Sequence, residues 1–187
     1  MASNTHVCPV WVGYLLASRF RNIFEDPAKI LFPYIRSGMK ILEIGPGMGF
    51  FSIPMAKITG PSGMVYCVDI QDKMLTNLKR KAVKKGVVNS IETIQASNES
   101  LNIGHLTAAI DFTLLAYVAH EIPDQYFLFS EVAKTMKKNT RVLFIEPKGH
   151  VNEEQWQRSL KTARECGFIP SPERNSKRNR IIELVKM

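Results

Sequence analysis

From Met39 onward the chain alternates between short apolar runs and stretches with a helical period, and no other feature narrows its fold as much. "MKILEIG" (39–45), "MVYCVDI" (64–70), "SIETIQA" (90–96), "IDFTLLAYV" (110–118) and "TRVLFIEP" (140–147) read as strands, and the fourth is nearly all apolar, as a strand covered on both faces is. Between them "FFSIPMAKIT" (50–59), "DKMLTNLKRKAVKKG" (72–86), "DQYFLFSEVAKTM" (124–136) and "VNEEQWQRSLKTAREC" (151–166) read as helices. In the second of these Met74, Leu75, Leu78 and Ala82 share one face, and Gly86 supplies the stop. "FIPSPE" and "NRIIELVKM" close the pattern as a terminal strand pair. Strands spaced by helices imply parallel β-α-β units with right-handed crossovers. The expected fold is therefore α/β: a doubly wound, mostly parallel seven-stranded sheet with a terminal antiparallel pair.

Ligands of such sheets bind beyond the carboxyl ends of the strands, so the residues at those ends matter most. The first strand ends in "ILEIGPGMGF", with Gly45, Gly47 and Gly49 at alternate positions and Glu43 two residues ahead. A phosphate loop needs GxxxxGK[ST], and no lysine–hydroxyl pair stands there. A dinucleotide fingerprint needs GxGxxG, yet Phe50 occupies the third glycine position and, with Phe51, would crowd a pyrophosphate. A GxGxG turn beside an acid suits a cofactor whose near end is an amino acid. The backbone can approach it closely, and Glu43 can hold an ammonium group directly or through a water. At the end of the second strand, Asp69 is placed to accept hydrogen bonds from both hydroxyls of a ribose, and Ile70 offers an apolar face to an adenine.

The fourth strand runs into "AYVAHEIPD" and the fifth into "IEPKGH", bringing Tyr117, His120, Glu121, Asp124, Glu146, Lys148 and His150 to adjacent strand ends. Two histidines among acids form a candidate acid–base or substrate-binding group, with Tyr117, His120 and His150 as its catalytic candidates. His120, Glu121 and His150 lack clear metal-ligand spacing, so no metal is expected. His105 reads as a surface loop residue.

The 187 residues, 45% hydrophobic and 22% charged, suffice for one domain with a real core. No apolar run approaches the roughly 20 residues that span a bilayer. The apolar "VCPVWVGYLLA" near the start lacks a basic n-region, so a cytoplasmic location is expected. Cys8, Cys67 and Cys166 are far apart and show no CxxC spacing, which argues against a disulfide framework, a zinc site or an iron–sulfur cradle. Cys67 reads as core. The net charge of +8, concentrated in "KRKAVKK" and "ERNSKRNR", is compatible with an anionic partner such as nucleic acid or with solvated basic faces. Residues 1–35 read as a helical, aromatic-rich segment ahead of the domain at 36–187, with Asp26 an N-cap before Pro27. Its Trp11, Tyr14, Leu15 and Phe20 can close over a site holding an apolar or aromatic acceptor, cover the sheet, or make a homodimer contact.

Taken together, "ILEIGPGMGFFS", "VYCVD", "IQASNESL", "IDFTLLAYVAHEIPD" and "LKTARECGFIP" resemble, in order and spacing, the motifs of the class I S-adenosylmethionine-dependent methyltransferases, in the small-molecule, quinone-biosynthesis-like branch. The resemblance covers residues 36 to 187 and implies a Rossmann-like methyltransferase fold with S-adenosyl-L-methionine as cofactor. It further implies in-line methyl transfer, with Glu43, Gly45, Gly47, Gly49, Asp69, Ile70, Ser97, Asn98 and Ala116 contacting the cofactor. Ser97 stands where many members carry an acid for the adenine amino group. A base methylase would carry Asn/Asp-Pro-Pro-aromatic where "AYVA" stands, and a cytosine C5 enzyme a nucleophilic cysteine; both are missing. Arsenite methylation would need more cysteines. A small-molecule acceptor is the leading expectation; a nucleic-acid methyltransferase and a non-catalytic cofactor-binding protein are the alternatives.

Overall fold

The computed structural model describes residues 26–174 and 176–187. The aromatic cluster Trp11, Tyr14, Leu15 and Phe20, together with Cys8, lies outside the described residues. The strands are β1 (Lys40–Ile44), β2 (Met64–Asp69), β3 (Ile91–Gln95), β4 (Ile110–Ala116), β5 (Met136–Pro147), β6 (Phe168–Pro170) and β7 (Asn179–Lys186). The helices are α1 (Pro27–Leu31), α2 (Ser52–Thr59), α3 (Asp72–Lys84), α4 (Gln125–Thr135) and α5 (Glu153–Glu165). The seven strands form one sheet in the order β3-β2-β1-β4-β5-β7-β6, with only β7 antiparallel to its neighbours β5 and β6 among the registered pairs. This is the α/β sheet with a terminal antiparallel pair that the alternating pattern predicts. No helix among the described residues is long and apolar enough to cross a membrane.

Two compact units divide the chain, one ending at Ile103 and the other running from Gly104 to Met187. In the first, β2 pairs in parallel with β1 (Ile41 opposite Val65) and with β3 (Val68 opposite Ile94). Burial of Ile41, Leu42, Val65, Cys67 and Val68 explains why β2, and β1 apart from Glu43, read as apolar runs. Met74, Leu75, Leu78 and Ala82 of α3 are buried, as their spacing predicts, while Lys79, Arg80, Lys84 and Lys85 face solvent. Asp26 caps α1 through hydrogen bonds from the amides of Ala28 and Lys29, with Pro27 at the first position.

The helix after the glycine turn begins at Ser52, two residues later than the pattern suggests, because Phe50 and Phe51 still belong to the turn. Pro54 falls in its first turn, where no intrahelical N–H is needed. Gly49 has φ +86°, and a Cβ there would stand 2.5 Å from Cδ1 of Leu78 and 3.2 Å from Cδ1 of Ile53. Alanine at 49 meets both a left-handed backbone and an occupied space. Gly49→Ala should cost about 1–3 kcal/mol of unfolding free energy, whereas Gly104→Ala, with nothing within 4 Å of its Cβ position, should cost far less. Urea unfolding of the two variants checks the contrast, and equal losses would contradict it.

In the second unit β4 and β5 pair in parallel, and β7 lies antiparallel between β5 and β6. Trp156 of α5 stacks on Phe144 of β5 at a centroid distance of 4.9 Å, and Phe129 of α4 meets Phe144 and Phe168 edge-on. Three boundaries differ from the sequence expectation. β4 stops at Ala116 rather than at residue 118, because Tyr117 takes φ +61° and leaves the extended conformation. β5 starts at Met136 rather than at residue 140: Met136 pairs with Ile110, and Lys137 reaches Asp111 at 2.6 Å, so the polar "KKN" is an exposed strand extension. β6 covers only Phe168–Pro170 and is followed by a single bridge from Arg174 to Ile181. Pro170 and Pro172 lack the N–H groups a longer strand would use.

Candidate functional site

In the first unit the glycine turn and the acid after β2 come together. The Gly45 amide donates to the Val68 carbonyl at 2.8 Å, which ties the turn to the end of β2. Asp69 Oδ1 accepts the Gln71 amide at 2.9 Å, and the carboxylate also accepts backbone N–H groups from Gly47 and Ile70. Burial pushes the Asp69 carboxyl above its usual range, and these three amides oppose the rise. Gly47 has φ +52°, and no atom lies within 4 Å of where a Cβ would sit. The loop therefore presents bare backbone to open space next to an acid. Ile70, 39% exposed, adds an apolar surface beside it.

Three other predicted contacts in this unit sit differently. Ser97 and Asn98 are exposed, and the Ser97 hydroxyl accepts the amides of Glu99 and Ser100 while its own amide donates to the Ser100 carbonyl. Ser97 is thus part of a self-bonded turn. Glu43 is only 2% exposed, and its Oε2 accepts the Ser52 hydroxyl at 2.5 Å and the Cys67 thiol at 3.8 Å. Its carboxyl faces a buried cluster, which pushes the Cys67 thiol well up, chiefly through burial and then through the charge of Glu43. Burial raises the Glu43 carboxyl itself from 4.5 to about 7.

That shift carries a stability prediction. A carboxyl whose folded-state pKa is raised binds protons more tightly in the folded than in the unfolded chain. Folding stability therefore falls as pH rises from about 4.5 to about 7. Below that window Glu43 contributes nothing to the difference. Above it the ionised form costs roughly 3 kcal/mol. Glu43→Gln keeps an acceptor for Ser52 without the charge, so it should match wild type near pH 4.5 and exceed it by up to about 3 kcal/mol at pH 8. Urea unfolding at both pH values checks this; a pH-independent difference would rule it out.

In the second unit the end of β4 and the end of β5 meet. Ala116 is buried at the last position of β4, and the Tyr117 amide donates to the Ile145 carbonyl at 2.8 Å. A short 3₁₀ turn, Ala119–Glu121, follows. Glu146, 1% exposed, aims its carboxylate into that turn: Oε1 accepts the Ala119 amide at 2.9 Å, and Oε2 is bonded to His120 Nδ1. Burial alone would lower the His120 pKa, but the hydrogen bond and charge of Glu146, with the charge of Glu121, raise it above its ordinary value. His150, exposed in the turn after β5, brings its ring to 5.7 Å from that of His120 at 72°. Sequence reasoning gathered His120, His150 and Glu146 at neighbouring strand ends without singling out Glu146. Its signal was an acid inside the apolar run "VLFIEP", the same anomaly that Glu43 makes in "ILEIG". His120, Glu121 and His150 do not form a metal-holding group, nor does any set of three such residues among those described.

Residues 35–181 match the family described as "Methyltransferase domain". The chain belongs to this family. It is the class I S-adenosylmethionine-dependent type whose motifs the sequence resembles. The ubiquinone/menaquinone biosynthesis C-methyltransferase UbiE of Pasteurella multocida is 29% identical over 112 residues, which is 60% of this chain and 41% of that protein. The match thus spans well under half the length of these curated relatives. A SAM-dependent methyltransferase from Aquifex aeolicus superimposes with a TM-score of 0.85 at 20% identity, covering 97% of this chain and 100% of that one. A putative rRNA-methylase from Clostridium thermocellum shares the fold at a TM-score of 0.67 and 13% identity, covering 86% and 93%. Within the methyltransferase domain, the features described above are the acid-and-glycine cradle of the first unit and the His120–Glu146 pair of the second.

Proposed function

We propose that this chain binds S-adenosylmethionine and transfers its methyl group to a small-molecule acceptor. The observation that carries the reading is the Asp69 carboxylate, held by the amides of Gly47, Ile70 and Gln71 beside open space at Gly47. A carboxylate so placed suits the two hydroxyls of a ribose, and the exposed Ile70 suits an adenine face. Gly45, Gly47 and Gly49 let the backbone run close to the amino-acid end of the cofactor. Glu43, committed to Ser52, contributes by fixing the start of α2 and reaches an ammonium group only through water. Ser97 and Asn98 stand exposed after β3 in the same unit, and we assign them to the adenine end of the cofactor.

When bound, the cofactor supplies a methyl group already activated on a sulfonium. The protein's part is alignment, exclusion of water and, where the acceptor requires it, removal of a proton. Tyr117, His120 and His150 are the residues we assign to the acceptor. The quinone-pathway names of the curated relatives favour an apolar or aromatic small molecule. We read residues 36–187 as the catalytic domain, and we place the protein in the cytoplasm.

Calorimetric titration of the whole chain with S-adenosylhomocysteine, with NAD as a control, tests the reading. One-site binding of the thioether nucleoside and none of NAD is expected. Absence of binding, or equal binding of NAD, would overturn it.

A further inference from the structure

The two basic runs of the sequence meet different surroundings in the fold. In "ERNSKRNR", Arg174 bonds Glu183 at 2.6 Å, while Arg180 bonds Glu153 at 2.7 Å and lies 4.0 Å from Glu173. Those arginines are committed to acids of their own unit. "KRKAVKK" lies on α3 and its cap, where Lys73, Lys79, Arg80, Lys84 and Lys85 are all exposed and none has an ion-pair partner among the described residues. We propose that the solvent face of α3 docks on the surface of an anionic lipid bilayer.

Helical spacing gathers these cations. Met74, Leu75, Leu78 and Ala82 turn one side of α3 to the core, so the opposite side faces water. Lys73, Arg80 and Lys84, seven and four residues apart, fall on one stripe of that side, about 16 Å long at about 1.5 Å of rise per residue. Lys79 and Val83, also four apart, form the neighbouring row, with Val83 62% exposed. Arg80 and Lys84 stand at a spacing where like charges repel. Asp72, in the first turn, is the helix's one acid, and Arg80 donates only to the neutral Asn77, at 3.5 Å. The helix therefore does not neutralise its own stripe, and an external anionic surface does.

Three features of the face favour lipid over nucleic acid. Four of its five exposed cations are lysines, which act as mobile point charges, whereas arginine supplies the planar fork suited to gripping individual phosphates. No aromatic side chain stands on α3 for a base to stack on. Val83 presents an isopropyl group among the cations, which the boundary between headgroups and acyl chains can bury and a phosphate backbone cannot. Docking of this face needs no cofactor, so it stands apart from the methyl-transfer reading.

The test sediments the full chain with vesicles of phosphatidylcholine alone or with roughly one-third phosphatidylserine. Salt is set at about 0.1 M, where the screening length is about 10 Å, and at about 1 M, where it is about 3 Å. Wild type should sediment with the anionic vesicles at the lower salt, be released at the higher, and ignore the neutral ones. Each cation near such a surface strengthens binding roughly fivefold, so the fourfold variant Lys73→Gln, Lys79→Gln, Arg80→Gln, Lys84→Gln should bind at least about 100-fold more weakly. Glutamine matches lysine and arginine in helix preference, so α3 should persist. A control that removes the same charge from acid-paired positions, Lys134→Gln, Lys137→Gln, Arg158→Gln, Lys161→Gln, should lose far less. Wild-type binding that is absent, equal on neutral vesicles or indifferent to salt would overturn the proposal without any variant. So would equal losses in the two variants, which would point to net charge rather than to α3. Displacement from the vesicles by poly(U) at equal phosphate concentration would overturn the lipid assignment in favour of nucleic acid. None of these results bears on S-adenosylhomocysteine binding, which is measured separately.

Discussion

Replacing Asp69 with alanine is expected to weaken S-adenosylhomocysteine binding by roughly 100- to 1000-fold. Hydrogen bonds to a charged group contribute about 1.5–3 kcal/mol each, and a ribose offers two. Losing two bonds of about 1.5–2 kcal/mol each, the lower part of that range, corresponds to about 3–4 kcal/mol, and each tenfold in affinity is about 1.4 kcal/mol. The substitution also removes the acceptor shared by the Gly47, Ile70 and Gln71 amides, so the loop loses part of what shapes it. Asp69→Asn keeps one acceptor oxygen and should fall between alanine and wild type. Calorimetry on the three proteins gives the ordering directly. An Asp69→Ala protein binding within about threefold of wild type, a change of under 1 kcal/mol, would mean that the ribose is held elsewhere.

The second large effect concerns the scaffold. Trp156 is fully buried, stacks on Phe144 at an interplanar angle of 27°, and donates its Nε1–H to Glu173 at 2.9 Å. The Arg180 guanidinium lies 5.9 Å from the ring centroid and bonds Glu153 at 2.7 Å and the Val151 carbonyl at 3.2 Å. Trp156→Ala should cost about 3–5 kcal/mol, because the cavity cannot close around a rigid β5. Trp156→Phe, which keeps the stack and loses the hydrogen bond to Glu173, should cost less. Urea unfolding of the pair separates packing from the polar contact. A loss below about 1 kcal/mol for alanine would be too small for a cavity of this kind.

Much of this architecture was legible because each signal was local. Apolar runs with glycine or an acid at their ends marked the strands, and the spacing of Met74, Leu75, Leu78 and Ala82 marked the buried face of α3. The boundaries that moved depend on non-local facts. The start of β5 at Met136 depends on pairing with Ile110 and on the Lys137–Asp111 ion pair, 26 residues apart in sequence. The end of β4 depends on the left-handed turn at Tyr117, a conformation no sequence pattern around that tyrosine advertises. At the site, Gly45, Gly47 and Asp69 were readable as a loop and an acid at neighbouring strand ends. The bond between Glu146 and His120 was not, since it joins two strand ends through side chains whose directions only folding sets. Glu43 carried the converse lesson: its position in the motif was visible, but its burial against Ser52 and Cys67 was not.

A crystal structure of the chain with S-adenosylhomocysteine bound tests the central claim most directly. Both ribose hydroxyls should lie within hydrogen-bond distance of the Asp69 carboxylate, with the adenine against Ile70 and the amino-acid end along Gly45–Gly47. A nucleoside bound away from Asp69, or a protein that takes up no S-adenosylhomocysteine under saturating conditions, would contradict the account.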